Sequence, residues 1–441
     1  MGIEWLAIGM VAALFVLLLV GIPVPFALAA AGIAFGGIGA GLSLFGLLPL
    51  RIYGVITNYT MLAIPLFVFM GVMLEKSRLA ERMLEVIGHL AGKRAGGMAL
   101  AIIAFGVLMG ASTGIVAATV VTVGLISLPT LLARDYHKGL ACGTICASGT
   151  LGQIIPPSLV LIILSDISGV SVGTLFAAAL VPSLVLSVLY LVYLGVVAYT
   201  RPDMMPPIAA EERATVSTAR LLADLGKVVL PPVALIVLVL GSIIGGVAAP
   251  TEAASMGALG AIVLITISGR LSWNVMRETV LSTFKITGMT LFVLICAQVF
   301  SLAFRGLRGD FLVDSLFNLL PGGVWGALLF LIALIFILGF FLDWIEISYI
   351  VLPLFLPFFT ASGINLTWLC ILVAMVLQTS FLTPPFGWSL FYLRGVAPRE
   401  IATGDIYAGV LPFIGIQLAA VAALCVFPGL ATWLPRAIGW N

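Results

Sequence analysis

Charge is what this sequence most lacks. Of 441 residues, only 9% are Asp, Glu, Lys or Arg. Soluble domains carry about 25%, so an ordinary water-soluble fold is excluded. Residues 5–50, 52–74, 95–133, 139–165, 167–200, 228–251, 286–304, 347–393 and 406–435 contain no charge at all. Histidine occurs twice, and His89 and His137 each sit beside basic residues with no nucleophile or metal partner nearby in the sequence. The five cysteines (Cys142, Cys146, Cys296, Cys370 and Cys425) all fall in apolar stretches, where free Cys behaves as a small apolar residue. Cys142 and Cys146 share a helix face, but no His or carboxylate joins them at metal-ligand spacing. No phosphate-binding loop or His-Glu-x-x-His motif occurs, so this chain does not itself hydrolyse ATP. A formal net charge of +2 gives no bias toward nucleic acid.

What is present is hydrophobic: 62% of the chain. A helix crossing the hydrocarbon core needs about 20 apolar residues, and the uncharged runs supply many such spans. They are long and do not alternate, which excludes a β-barrel. The expected fold class is an all-α polytopic membrane protein. The first run starts at Trp5 without a basic leader and continues into further helices, so it reads as a span and not as a cleaved signal.

Two Pro-Pro pairs interrupt these runs. One lies in Gly149-Thr-Leu-Gly-Gln-Ile-Ile-Pro156-Pro157-Ser158, the other in Gln378-Thr-Ser-Phe-Leu-Thr-Pro384-Pro385-Phe-Gly387. Proline inside a helix removes a backbone donor and clashes with the preceding turn. Lipid offers no partners for the freed groups, so such breaks survive only where they line a polar cavity or are buried in protein. Matching breaks in two halves of a membrane chain point to a secondary transporter's binding site.

The halves do match. Pro25 corresponds to Pro250, and Leu66-Phe-Val-Phe to Leu291-Phe-Val-Leu, both at an offset of 225. Gly96-Gly97 and Gly322-Gly323 differ by 226, Pro156 and Pro384 by 228, Gly110 and Gly339 by 229. The expected organisation is a first repeat over 1–199, a polar connector over 200–227 that is partly helical from about 210 to 225, and a second repeat over 228–441. Lys and Arg in short loops set orientation. Placing Lys76, Arg82, Lys93, Arg134, Lys138, the connector, Arg270, Arg277, Lys285, Arg394 and Arg399 in the cytoplasm leaves the loops near 166–173 and 361–367 outside. Residues 97–133 then begin and end on one side. They must form a re-entrant hairpin that turns at Gly110–Gly114, followed by a broken helix over 138–165. Residues 322–360 must do the same from outside, turning near Gly339–Asp343, followed by a broken helix over 368–393. The two repeats are therefore inverted. Arg305 and Arg308 fall outside in this scheme and run against the positive-inside pattern, as though each half owned a charged lateral arm helix.

Each half thus offers a hairpin tip and a break. The first combines Gly110, Ser112 and Thr113 with Ser148, Gly149, Thr150 and Gly152 ahead of Pro156, Pro157 and Ser158. The second combines Gly339 and Asp343 with Thr379, Ser380 and Thr383 ahead of Pro384, Pro385 and Gly387. Unwound carbonyls and hydroxyls are neutral oxygen ligands for a hard cation. The scarcity of full negative charges nearby favours a monovalent ion, Na⁺, over a divalent one. Half-helix N-termini favour an anionic group. Asp343 and Glu346 interrupt a long uncharged region, and an ionisable residue inside the membrane is a functional candidate; Asp343 is favoured as an ion ligand. Glu252, two residues after Pro250, reads as N-terminal capping chemistry.

Gly152-Gln-Ile-Ile-Pro-Pro-Ser158, Ala249-Pro-Thr-Glu-Ala-Ala254 and the Pro-Pro-Phe-Gly387 region together resemble the large membrane subunit of tripartite ATP-independent periplasmic (TRAP) transporters, the DctM-like family, over nearly the whole chain. The resemblance implies a multi-pass protein of a bacterial or archaeal inner membrane that imports organic acids with Na⁺ by an elevator motion. It implies two partners, a small four-helix membrane subunit and a periplasmic substrate-binding protein, and no cofactor beyond the coupling ion. It places Na⁺ between tip and break, at Gly110, Ser112, Thr113, Gly149 and Gly152 and at Gly339, Asp343, Thr379 and Thr383. The substrate then falls to Ser148, Thr150, Pro156, Pro157, Ser158, Ser380, Pro384, Pro385 and Gly387. The alternatives are a stand-alone ion-coupled organic-anion carrier and, remotely, an intramembrane enzyme.

Overall fold

A computed structural model describes residues 4–77, 79–208, 221 and 223–440; the side chains of residues 80 and 113 fall outside the description. Apolar runs become helices because lipid leaves a backbone no partner but itself, and no strand occurs among the described residues. The first half runs α1 (Glu4–Leu19), α2 (Val24–Ala40), α3 (Leu48–Ile56), α4 (Ala63–Lys76), α5 (Leu79–Ala91), α6 (Gly97–Thr113), α7 (Val116–Leu132), α8 (Lys138–Thr150), α9 (Leu159–Ser168) and α10 (Val172–Thr200). The second runs α11 (Leu230–Ile244), α12 (Pro250–Ile267), α13 (Trp273–Gly306), α14 (Gly309–Leu319), α15 (Gly323–Leu338), α16 (Trp344–Ala361), α17 (Leu366–Leu382), α18 (Trp388–Val396), α19 (Thr403–Val426) and α20 (Gly429–Ala437). Most of the connector helix expected at about 210–225 lies outside the described residues.

Among the described residues, seven helical stretches are long and apolar enough to cross a membrane, or eight if α14 and α15, which meet at 113°, count as one. The exterior carries exposed large apolar side chains such as Ile38, Val237, Leu238 and Val263. The chain is a multi-pass membrane protein.

Local chemistry sets the boundaries. Pro25 and Pro250 each stand within the first two residues of α2 and α12, where a missing N–H costs nothing. Gly96 and Gly322 take left-handed φ of 77° and 92° just before α6 and α15, a conformation glycine adopts freely. Glu252 Oε2 accepts the Ala249 N–H at 2.8 Å, so this residue does cap α12.

The hairpin arms α6 and α7 have 17 residues each, or about 25 Å at 1.5 Å per residue. That falls short of the roughly 30 Å hydrocarbon core, as do α1 and α2 with 16 and 17 residues. The turn is at Gly114, with φ 60°, whose N–H donates to the Gly110 carbonyl at 3.0 Å. In the second half α15 ends at Leu338 and α16 begins at Trp344. Both double-proline segments break their helices. Residues 151–158 separate α8 from α9, and 383–387 separate α17 from α18; both Pro-Pro peptide bonds are cis.

Packing between the halves is reciprocal. α2 lies on α13, and α12 on α4; α8 lies on α19, and α17 on α10; α9 lies on α16, and α18 on α7. The sequence offset maps α2, α4, α7, α8, α9 and α10 onto α12, α13, α16, α17, α18 and α19. Each of these contacts therefore has its counterpart with the halves exchanged. One local departure stands out: α3 and α4 are separate, while their counterpart α13 is a single helix of 34 residues. The Asn58 side chain accepts the Thr60 N–H at 2.9 Å and holds the chain in a turn between α3 and α4.

Candidate functional site

The first hairpin tip and the first break meet through glycines. A methyl group on Gly110 would stand 2.6 Å from Gly152 Cα, and one on Gly106 would stand 2.6 Å from Ser148 Cβ. One on Gly149 would stand 2.2 Å from Val120 on the returning arm. The structure thus brings together Gly110, Gly149 and Gly152. Nearby hydroxyls turn back onto their own helices. Ser112 Oγ donates to Met109 O at 2.9 Å, Ser148 Oγ to Ile145 O at 2.8 Å and Thr150 Oγ1 to Ala147 O at 3.0 Å. Ser158 Oγ donates to Gln153 O. Each hydroxyl oxygen keeps lone pairs for a cation. Thr113 ends α6; its side chain is outside the description.

Gly110-Ala-Ser112-Thr-Gly114 also spells Gly-x-Ser-x-Gly, the serine-hydrolase elbow. That elbow is a strand-to-helix turn, whereas Ser112 sits in the last turn of a helix that folds back into another. The two histidines lie elsewhere: His89 is in α5, and His137 caps the start of α8 by accepting the Leu140 N–H.

The second site repeats the plan with different parts. A methyl on Gly339 would stand 2.0 Å from Ser380 Oγ, so tip and break again touch. Thr379 Oγ1 donates to Met375 O at 2.7 Å, Ser380 Oγ to Leu377 O at 2.8 Å and Thr383 Oγ1 to Thr379 O at 2.7 Å. The break is closed by Gly387 N–H to Thr383 O at 3.1 Å and by Tyr407 OH to Pro385 O at 2.7 Å. Asp343 Oδ1 accepts the Trp344 N–H at 2.8 Å, and Glu346 Oε2 accepts the Asp343 N–H at 3.0 Å. The two carboxylates form a reciprocal cap on α16. Asp343 therefore has a structural task beyond the ion-binding role expected of it, and Glu346 shares that task.

Both tips face a cavity of about 580 Å³. Gly114–Ala117 and Phe341–Glu346 line it, with Leu159, Phe381, Trp388 and Tyr392 from the breaks. Leu18, Gly21–Pro25, Ile286, Met289 and Thr290 form the opposite wall. No Lys or Arg lines it. Four helices begin on the tip and break side of the cavity: α7 at Val116, α9 at Leu159, α16 at Trp344 and α18 at Trp388. Helix N-termini present unpaired N–H groups and positive dipole ends. The preceding half-helices α6, α8, α15 and α17 end with their carbonyls at the tip–break contacts, a negative environment. Helix N-termini thus face the cavity together with the carboxylates of Asp343 and Glu346, and helix C-termini face the glycine contacts.

Two residues were not anticipated. Gln153 and Gln378 are fully buried, and neither side-chain amide atom of either has a hydrogen-bond partner. They are not positional counterparts: the breaks are offset by 228 residues, and Gln153 lies past the end of α8 while Gln378 lies within α17; no sequence signal marked them.

An all-helical membrane fold with paired hairpin tips and broken helices around one cavity defines a transporter, and comparison with known proteins gives its family. The model for the DctM component of tripartite ATP-independent periplasmic transporters matches residues 11–430, and the chain belongs to this family. It is 28% identical to a C4-dicarboxylate TRAP transporter large permease protein of Pseudomonas aeruginosa, covering 89% of this chain and 90% of that one. It is 29% identical to the ectoine TRAP large permease of Halomonas elongata, with 96% and 98% covered. It is 26% identical to the sialic acid TRAP large permease of Vibrio cholerae, with 88% of each covered. The crystal structure of the Alcanivorax borkumensis YdaH transporter shares the fold, at TM-score 0.59 and 17% identity over 89% of this chain and 90% of that one. The chain is thus a TRAP transporter large permease, a transport subunit and not an enzyme.

Proposed function

We propose that this chain carries a small organic acid across a bacterial or archaeal inner membrane, coupled to Na⁺, as the permease of a binding-protein-dependent system. The observation that carries the reading is the convergence of four helix N-termini on a cavity without a basic side chain. An anion there meets dipoles, while a bound cation offsets the lining carboxylates Asp343 and Glu346, so solute and ion favour each other's binding. The solutes named for the relatives (C4-dicarboxylates, ectoine and sialic acid) all carry a carboxylate. Na⁺ sits at the two tip–break contacts, and the substrate carboxylate meets the N-termini of α9 and α18 at Leu159 and Trp388; Ser158 and Gly387, just before them, are buried and do not line the cavity.

Residues 1–199 and 228–441 act as inverted repeats, a reading supported by the reciprocal packing and the constant offset. The hairpins α6–α7 and α15–α16, with the broken helices α8–α9 and α17–α18, move as one elevator domain against the remaining helices. A small four-helix membrane subunit and a periplasmic binding protein complete the assembly.

The test is uptake into proteoliposomes holding this chain and the small subunit, supplied with loaded binding protein. Uptake is expected to need Na⁺ and all three components. No uptake across a range of small organic acids contradicts the proposal, and equal uptake by this chain alone assigns it to the stand-alone carriers.

A further inference from the structure

A second cavity, of about 830 Å³, lies away from the hairpin tips, between α3 and α13 on one side and α9 and α16 on the other. Arg51 and Arg305 both line it. No carboxylate pairs with either: the sole ion pair among the described residues is Lys76–Glu75. The cavity's one acid, Asp166, accepts a hydrogen bond from Asn58 Nδ2. Two cations therefore stand against one anion that is already engaged. Gln298 and Ser301 add polar groups to the wall. Tyr349 also lines the cavity, and its side chain is 3% exposed with a hydroxyl that has no hydrogen-bond partner.

Paired guanidinium groups with a neutral hydroxyl donor suit a carboxylate, which accepts up to four hydrogen bonds and matches the guanidinium fork. A buried hydroxyl without a partner is unfavourable, and a visiting anion would satisfy it. Asp166 and Ile167, beside the loop that the Lys and Arg pattern places outside, line the cavity. There Arg305 runs against the Lys and Arg distribution of membrane loops, which a ligand-binding task explains.

We propose that Arg51, Arg305 and Tyr349 form an outer staging site that receives the carboxylate of the incoming solute before it reaches the hairpin tips. This rests on the transport reading above. The site straddles the seam between the frame (α3, α13) and the elements proposed to move (α9, α16), so movement of the latter would release its occupant inward.

The test is titration of succinate, acetate and citrate against the purified chain in phosphatidylcholine nanodiscs. Arg51→Gln/Arg305→Gln is expected to weaken the tightest of these about tenfold, and Tyr349→Phe about threefold. Arg51→Lys/Arg305→Lys, which keeps the charge, should recover most of the loss. Arg305 is exposed, so Arg305→Gln alone keeps the test decisive if the double variant does not fold; unchanged affinity there overturns the inference. Absence of saturable binding by the wild-type chain overturns it too. So does retention of phosphatidylglycerol by wild type but not by the variants without succinate binding, or loss of binding-protein docking alone. These failures leave Na⁺-dependent uptake by the assembled system as a separate question, so the two readings fall independently.

Discussion

The two tip–break contacts occupy matching positions yet are built differently. In the first, glycine meets glycine: Gly110 and Gly152 approach through backbone atoms, and the surrounding polar groups are neutral hydroxyls and carbonyls. In the second, Gly339 meets the side chain of Ser380, and the turn beside it carries Asp343 and Glu346. The first site can offer a cation only neutral oxygen. The second can add a formal negative charge, at the cost of burying two carboxylates one turn apart. The two halves therefore match more closely in the geometry of the break than in the chemistry placed around it.

The comparison can be broken by filling each contact. Gly110→Ala should be the most damaging change, because its methyl meets backbone 2.6 Å away and Gly152 has no side chain to trim. Overpacking of this kind costs about 1–3 kcal/mol, so thermal stability and uptake should both fall. Gly339→Ala should also be harmful, but Ser380→Gly in the same protein removes the atoms it strikes and should restore stability. If trimming a neighbour of Gly110 rescues that site equally well, the two contacts are not built as described.

Carboxylate chemistry gives a smaller, more specific effect. Asp343→Ala should weaken the Na⁺ dependence of uptake and also lose a helix cap, which costs about 0.5–2 kcal/mol. Glu346→Gln should keep most of the cap, since an amide oxygen can still accept the Asp343 N–H. An unchanged Na⁺ response in Asp343→Ala would leave that residue with its capping role alone. The mildest effect on stability is expected from Gln153→Leu and Gln378→Leu. Replacing an unpaired buried amide with an apolar side chain should be neutral or slightly stabilising. Transport should nonetheless fall if these amides meet an ion or solute during the cycle. Normal uptake by both variants would make them packing residues.

Much of this plan was legible in the sequence because proline and glycine act through the local backbone. Pro156-Pro157 and Pro384-Pro385 marked both breaks, Gly114 the first turn, and Gly96 and Gly322 the matching hairpin starts. The reciprocal cap was also written in Asp343-Trp-Ile-Glu346, although membrane depth drew attention to Asp343 as a ligand instead. The unpaired amides were not legible, since whether Gln153 finds a partner depends on neighbours far along the chain. Nor was the gathering of four helix N-termini, a property of packing that no single stretch encodes. The split between α3 and α4 depends on the side chain of Asn58, to which α13 has no counterpart.

The most direct measurement is equilibrium binding of ²²Na⁺ to the purified chain in nanodiscs, for wild type, Gly152→Ala, Asp343→Ala and the combined variant. Two tip–break sites predict saturable binding that each single change reduces in part and the combination abolishes. Binding that is absent in the wild type, or that survives all three changes, would contradict the account.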